Sequence, residues 1–105
     1  MIGVRVIKPS TVRRFAEQYP DASKPLMTWL KEVRKARWSS LQQVRETYSS
    51  ADAATVNSGH IVTVFNIGGN KYRLIVAIHY QRGMVFVLRF LTHAEYDKEK
   101  WKADL

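Results

Sequence analysis

Three consecutive runs of β-favouring residues, joined by two short turns that contain glycine, dominate the second half of the chain. The runs are residues 61–67, 71–80 and 84–90, and the turns are Gly68-Gly69-Asn70 and Gln81-Arg82-Gly83. Turns this short join strands that run in opposite directions, because parallel strands need a crossover of about a dozen residues. The pattern therefore predicts an antiparallel β-meander against which the rest of the chain must pack.

The first half of the chain has its apolar residues at helical spacing instead. A short strand at residues 4–8 precedes a helix that Ser10 or Thr11 can cap and that Pro20 stops. A second helix follows, and four apolar residues form its predicted buried stripe. These residues are Leu26, Trp29, Leu30 and Val33. The two helices predict a helical hairpin.

Two weaker helical signals flank the meander. Residues 41–47 predict a short helix before a loop at 49–52. After the last strand, Thr92-His93-Ala94-Glu95 has the form of a capping box and predicts a helix that continues through Trp101. We therefore expect residues 1–105 to form a single α+β domain, with an N-terminal strand and the helical hairpin packed on the meander and a short C-terminal helix.

Composition restricts the function further. The chain has no cysteine, so disulfides, thiolate metal sites and cysteine nucleophiles are excluded. His60 and His79 have no second imidazole or acid at metal-ligand spacing beside them, and neither a metal nor another cofactor is predicted. No apolar run approaches the roughly 18 residues of a membrane span, and charges interrupt residues 1–8, so a cytoplasmic protein with no membrane partner is expected. The net charge of +8 favours a polyanionic partner, nucleic acid first.

The second strand of the meander predicts where cations lie. Its even positions are apolar or aromatic, so Arg73, at an odd position, is expected on the opposite face. A three-residue turn after this strand pairs Tyr80 with Met84 and Ile75 with Arg89. Arg89 then shares the face of Arg73 at a diagonal distance of about 7–8 Å. A register change of one residue moves Arg89 to the other face.

Five residues are predicted to converge where this strand meets the start of the last helix. They are Lys71, Arg73, Arg89, His93 and Tyr96. Two guanidinium groups can clamp a phosphodiester and stabilise the charge of its transition state without a metal. A phenol or an imidazole can take the proton of an RNA 2′-hydroxyl, and nearby cations favour Tyr96 over His93 as that base. Lys71 and four cations of the helical region are expected to bind the RNA backbone. The four are Lys31, Arg34, Lys35 and Arg37.

Two C-terminal segments resemble a known family. Residues 65–75 (FNIGGNKYRLI) and 87–97 (VLRFLTHAEYD) are similar to the HigB-type toxins of bacterial toxin–antitoxin pairs, within the RelE-like mRNA interferase group. The resemblance extends over nearly the whole chain. It implies a RelE-like fold, entry into the decoding site of the ribosome and metal-independent cleavage of translated mRNA. The functional elements of the family fall on Arg73, Arg89, His93 and Tyr96, with Lys71 beside them.

The resemblance also implies a partner. This is a small helix-turn-helix antitoxin of the HigA type, whose complex with the toxin represses its own promoter. The toxin would then meet DNA only indirectly, through the antitoxin complex. A second function stays open, because a non-catalytic protein that binds RNA or the ribosome and blocks translation by occupancy needs the same basic face.

Overall fold

The structure of this chain is a computed structural model, of which we describe residues 4–105. Its strands are β1 (Arg5–Ile7), β2 (Asp52–Thr55), β3 (Ile61–Ile67), β4 (Tyr72–His79) and β5 (Met84–Thr92). Its helices are α1 (Pro9–Gln18), α2 (Ser23–Lys35), α3 (Leu41–Thr47) and α4 (His93–Asp97), with 3₁₀ turns at Pro20–Ala22 and Lys100–Asp104. The predicted α+β class is confirmed. Residues 1–3 of the predicted N-terminal segment lie outside the described range.

The strands join in one mixed sheet in the order β1-β5-β4-β3-β2. Strands β3, β4 and β5 form the predicted antiparallel meander, and β1 pairs in parallel with β5. Strand β2 pairs with β3 at the other edge; it begins at Asp52, the last residue of the predicted loop at 49–52, and the sequence assigns residues 53–55 to no element. Three of its four residues are exposed, so β2 lacks the apolar alternation that identifies a strand.

The hairpin of α1 and α2 covers one face of the sheet, which we call the helix face. The predicted stripe of α2 is buried, with no member more than 4% exposed. Its core partners on the sheet are Phe65, Leu74, Val76 and Val85. The start of α1 differs from the prediction, since Lys8 and not Ser10 or Thr11 is the N-cap. Pro9 begins the helix because its fixed φ suits the first helical position.

The turn between β4 and β5 is longer than predicted. His79, not Tyr80, pairs with Met84, so residues 80–83 form the turn. Because side chains alternate between faces along a strand, this change alone would place Arg89 on the helix face.

A β-bulge in β5 reverses that shift. Val76 pairs with Val87, but the neighbouring Ile75 pairs with Arg89, which leaves Leu88 as an extra residue in β5. A bulge of one residue changes the face of every residue beyond it. The predicted pairing of Ile75 with Arg89 is therefore confirmed, and Arg89 lies on the face opposite the helices.

A second, smaller core lies on that opposite face, which we call the α4 face. Its buried residues are Val56, Val62, Val64, Ile75 and Trp101. The helix predicted to reach Trp101 ends at Asp97 instead. Glu99 has a left-handed φ of 59°, which interrupts the helix, and the following 3₁₀ turn brings Trp101 against Tyr96.

Candidate active site

Two sets of hydrogen bonds hold α4 at the end of β4. The backbone N–H of His93 donates to the carbonyl of Lys71 at 2.9 Å. Thr92 and Glu95 form the predicted capping box, in which the Thr92 hydroxyl accepts from the Glu95 N–H at 3.2 Å and the Glu95 carboxylate accepts from the Thr92 N–H at 2.9 Å. These bonds satisfy N–H groups of the first turn that have no partner within the helix. Tyr96, one turn further on, is thereby placed on the α4 face.

Arg73 is nearly buried on this face, with 8% of its surface exposed. Its Nη1 donates to the carbonyls of Asn70 and Tyr72 at 3.2 and 3.1 Å, and its Nη2 donates to Oδ1 of Asn70 at 3.3 Å. The guanidinium carbon lies 5.5 Å from the centre of the Tyr96 ring, within cation–π range. Among residues 4–105, no carboxylate forms an ion pair with Arg73. Arg73 and Tyr96, both predicted site residues, are therefore in direct contact.

Tyr96 also contacts a residue that the sequence does not identify. Its ring is stacked on that of Trp101, with centroids 5.4 Å apart and an angle of 17° between the planes. The Trp101 indole N–H donates to the Tyr96 carbonyl at 3.1 Å. These contacts restrict the Tyr96 ring and so define where its hydroxyl lies. The sequence does not identify Trp101 because it predicts one uninterrupted helix through that residue. In such a helix the Trp101 side chain would point away from Tyr96.

Arg89 lies diagonal to Arg73 on the α4 face, since Arg73 pairs with Leu91 and Arg89 with Ile75. Diagonal neighbours in a sheet are about 7–8 Å apart, as expected from the sequence. Arg89 is half-buried, and its Nη1 donates to the carbonyl of Leu88 at 2.7 Å. The side chain also lines a cavity of about 300 Å³.

His93 is paired with an acidic residue that the sequence interpretation leaves out. Its Nδ1 lies 2.8 Å from Oδ2 of Asp97, and both side chains are about half exposed. A neutral imidazole that donates from Nδ1 to a carboxylate presents Nε2 as an acceptor. The spacing of four residues in a predicted helix is the signal that identifies this pair.

The charged group of Lys71 pairs outside this group, although the backbone carbonyl of Lys71 accepts the His93 N–H. Nζ of Lys71 forms an exposed ion pair with Asp21 at 3.3 Å, and Asp21 also accepts the Tyr72 hydroxyl at 2.7 Å. The hydrogen bond from Tyr72, together with Lys71, holds the pKa of the Asp21 carboxyl below its usual value. The exposed cations of α2 belong to the layer on the helix face, and one further cation follows α2 in a loop. They are Lys31, Arg34, Lys35 and, in the loop, Arg37.

Two kinds of site are absent from residues 4–105. No three His, Cys, Asp or Glu side chains come together there as a group that could hold a metal ion. None of the helices in this range is both long and apolar enough to cross a membrane.

A comparison with protein families identifies the chain. Residues 22–99 match the model of the HigB toxin family, described as the RelE-like toxic component of a toxin–antitoxin system. The chain belongs to the HigB toxin family. The predicted membership is thus confirmed, and it implies an antitoxin as partner. All four residues of the predicted catalytic group lie within the matched segment of this HigB-family chain.

Several HigB proteins are similar to the chain over most of its length. The mRNA interferase toxin HigB of Escherichia coli strain K12 is 23% identical over 94 residues, which cover 90% of this chain and 88% of that protein. The mRNA interferase HigB of Shigella flexneri has the same identity and coverage. The mRNA interferase HigB of Escherichia coli O6:H1 is 24% identical over 95 residues, which cover 90% of each chain.

Proposed function

We propose that this HigB-family protein is an endoribonuclease that cleaves mRNA during translation and inhibits growth until its antitoxin binds. The contact between Arg73 and Tyr96, with Arg89 diagonal to them on the same sheet face, carries the proposal. Cations beside a group that can transfer protons are what cleavage of a phosphodiester requires. The family and the mRNA interferase names of the relatives support the same reaction.

The proposed reaction uses the nucleophile of the RNA itself. The 2′-hydroxyl oxygen bonds to the adjacent phosphorus while its proton passes to a base of the protein. The bond from phosphorus to the 5′ oxygen then breaks, and an acid of the protein protonates that oxygen. The products are a 2′,3′-cyclic phosphate and a 5′-hydroxyl. Arg89 and the N–H groups of Arg73 that the hairpin does not use stabilise the negative charge of the transition state.

We assign the base to His93 and the acid to Tyr96. The contact of His93 Nδ1 with Asp97 leaves Nε2 as the acceptor, which favours His93 over the sequence-based choice of Tyr96 as base. An RNA with sulfur in place of the scissile 5′ oxygen tests this assignment, because a thiolate leaves without protonation. Tyr96→Phe is expected to cleave that RNA as fast as the unmodified protein does, while His93→Gln stays slow. The reverse pattern would return the role of base to Tyr96.

Primer extension on a defined mRNA tests the function itself. The mRNA is incubated with purified protein, with and without translating ribosomes, and the 5′ ends of the fragments are mapped. We expect cuts within codons of the reading frame, and only when ribosomes are present. Arg89→Ala is expected to slow cleavage by about 10²-fold or more, as loss of one charge-stabilising donor does. Intact mRNA in both reactions would refute the proposal.

One observation favours the second candidate, a translation inhibitor that acts by occupancy. The guanidinium of Arg73 is nearly buried and already donates to the hairpin, which limits its approach to a phosphate. An mRNA with a 2′-deoxynucleotide at the mapped cut distinguishes the two functions, because it lacks the nucleophile. A nuclease cuts the unmodified message at this position and leaves the modified message intact there. An occupancy inhibitor instead arrests translation equally on both messages.

Further parts of the proposal concern the partners and the setting. We propose that the antitoxin is a HigA-type helix-turn-helix protein and that the toxin contacts DNA only through it. Lys71 and the basic surface of α2 would contact RNA backbone of the ribosome, as the net charge of +8 favours. Residues 1–105 would act as one domain in the cytoplasm, where translation occurs. Pull-down of the antitoxin by the tagged toxin and a DNA shift only with both proteins test these points.

A further inference from the structure

The cavity beside Arg89 combines apolar surface with a group of cations. Its volume is about 300 Å³, and Leu91 and Trp101 supply the apolar part of its lining. Arg89, Lys98 and Lys100 line it as well. Lys98 and Lys100 are exposed, on either side of the break that ends α4. None of the residues that form this cavity, apart from Arg89, was identified by the sequence as part of a site.

The cations of this cavity form no ion pair with any residue in the described range, 4–105. Lys71, Lys102 and Arg45 each form an ion pair with a carboxylate elsewhere on the protein. Within residues 4–105, neither Arg89 nor either cavity lysine does so. Like charges that acidic groups do not fully offset repel one another, and a bound anion relieves that repulsion.

Two acidic residues also line the cavity, and they differ in what they contact. The carboxylate of Glu95 accepts the Thr92 N–H as part of the capping box, so its position is set by the helix start. Asp104 is exposed and, among residues 4–105, makes no ion pair. The three cations outnumber these two acids, so the lining stays positive. Asp104 is then expected to oppose any anion that enters.

We propose that this cavity binds one nucleotide of the RNA chain next to the cleaved bond, with its phosphate at Lys98 and Lys100. The inference deepens the proposed function, because Arg89 borders both the cavity and the Arg73–Tyr96 pair. A cavity of this size suits a single small group, and cations beside apolar surface match a phosphate joined to a base. These features favour RNA over an acidic protein segment, which needs no apolar wall beside its carboxylates.

The three tryptophans provide the readout. Trp101 lines the cavity, whereas Trp29 and Trp38 are buried in the core of the helix face. Each indole N–H gives its own signal in an amide NMR spectrum of the unmodified protein. We expect a single-stranded RNA of about twelve nucleotides to shift the Trp101 signal and to leave those of Trp29 and Trp38 in place.

A paired substitution, Lys98→Gln with Lys100→Gln, removes the proposed phosphate contact. We expect it to abolish the Trp101 shift and to lower the affinity for this RNA about tenfold. The slope of log affinity against log salt should fall by about 0.7, since each phosphate neutralised on a single strand contributes about 0.7. The matched control, Arg13→Gln with Arg14→Gln on α1, removes the same charge from exposed positions and keeps the Trp101 shift. Asp104→Asn should strengthen binding.

Each other outcome has a defined meaning. Absence of RNA binding, shifts at Trp29 or Trp38 alone, or an unchanged salt slope in the lysine variant would overturn the inference. A glutamate-rich peptide that shifts Trp101 when RNA does not would assign the cavity to a protein partner. Failure of the proposed function is read separately by primer extension. If mRNA stays intact on ribosomes while RNA still shifts the Trp101 signal, the proposed cleavage is refuted and the proposed nucleotide site is supported.

Discussion

Replacing Arg73 by alanine tests whether a residue proposed for chemistry also holds the fold. The substitution removes three hydrogen bonds to the end of the β3–β4 hairpin and the contact with the Tyr96 ring. Because Asn70 is exposed, water can replace part of each bond, and we take about 1 kcal/mol for each. The cation–π contact adds about 0.5–1 kcal/mol. We therefore expect Arg73→Ala to lose about 3.5–4 kcal/mol of unfolding free energy.

Arg89→Ala is the matched control. Arg89 is half-buried and donates one hydrogen bond, to the carbonyl of the residue before it, so we expect a loss below about 1 kcal/mol. Urea unfolding followed by circular dichroism measures both variants, and a slope equal to that of the unmodified protein validates the comparison. In thermal unfolding, Arg73→Ala should lower the midpoint by about 12 °C or more. Equal stability of the two variants would refute the anchoring role of the buried guanidinium. If the difference is found, only Arg89→Ala reports on catalysis free of a folding defect.

Three further predictions concern the supports of the site. Thr92→Ala removes the cap of α4 and should cost about 1 kcal/mol of unfolding free energy and slow cleavage, whereas Thr92→Ser should do neither. The hydrogen bond from Tyr72 makes the pKa of Asp21 lower in the folded protein than in the unfolded chain. The ionised carboxylate therefore stabilises the fold at pH values above the pKa of the unfolded chain, and this stabilisation is lost as the pH falls through the pKa of the folded protein. Urea titrations should therefore show a larger difference between Asp21→Asn and the unmodified protein near about pH 6 than near about pH 2.5, and equal differences would contradict this. Trp101→Phe keeps an aromatic neighbour for Tyr96 but loses the indole donor, so single-turnover kinetics at saturating RNA should show slower cleavage.

Local patterns predict much of this fold. The buried stripe of α2 follows from helical spacing, the meander from β-favouring runs between glycine turns, and the start of α4 from its capping box. Each of these depends on residues close together in the chain. Strand β2 lacks such a pattern, because its residues contribute little apolar surface and depend on pairing with β3. The end of α4 at Asp97 depends on the left-handed conformation of Glu99, which the sequence does not indicate.

The sequence by itself determined the fold class, the family resemblance and the residue types of the site. Tertiary structure decided which of those residues meet. The bulge at Leu88 keeps Arg89 on the face of Arg73 despite the longer turn, and the break at Glu99 sets Trp101 against Tyr96. Pairing with Asp21 holds the ammonium group of Lys71 elsewhere. The physical reason is that periodicity reports the face of a residue only within one regular element, whereas bulges, turns and ion pairs depend on contacts between elements distant in the chain.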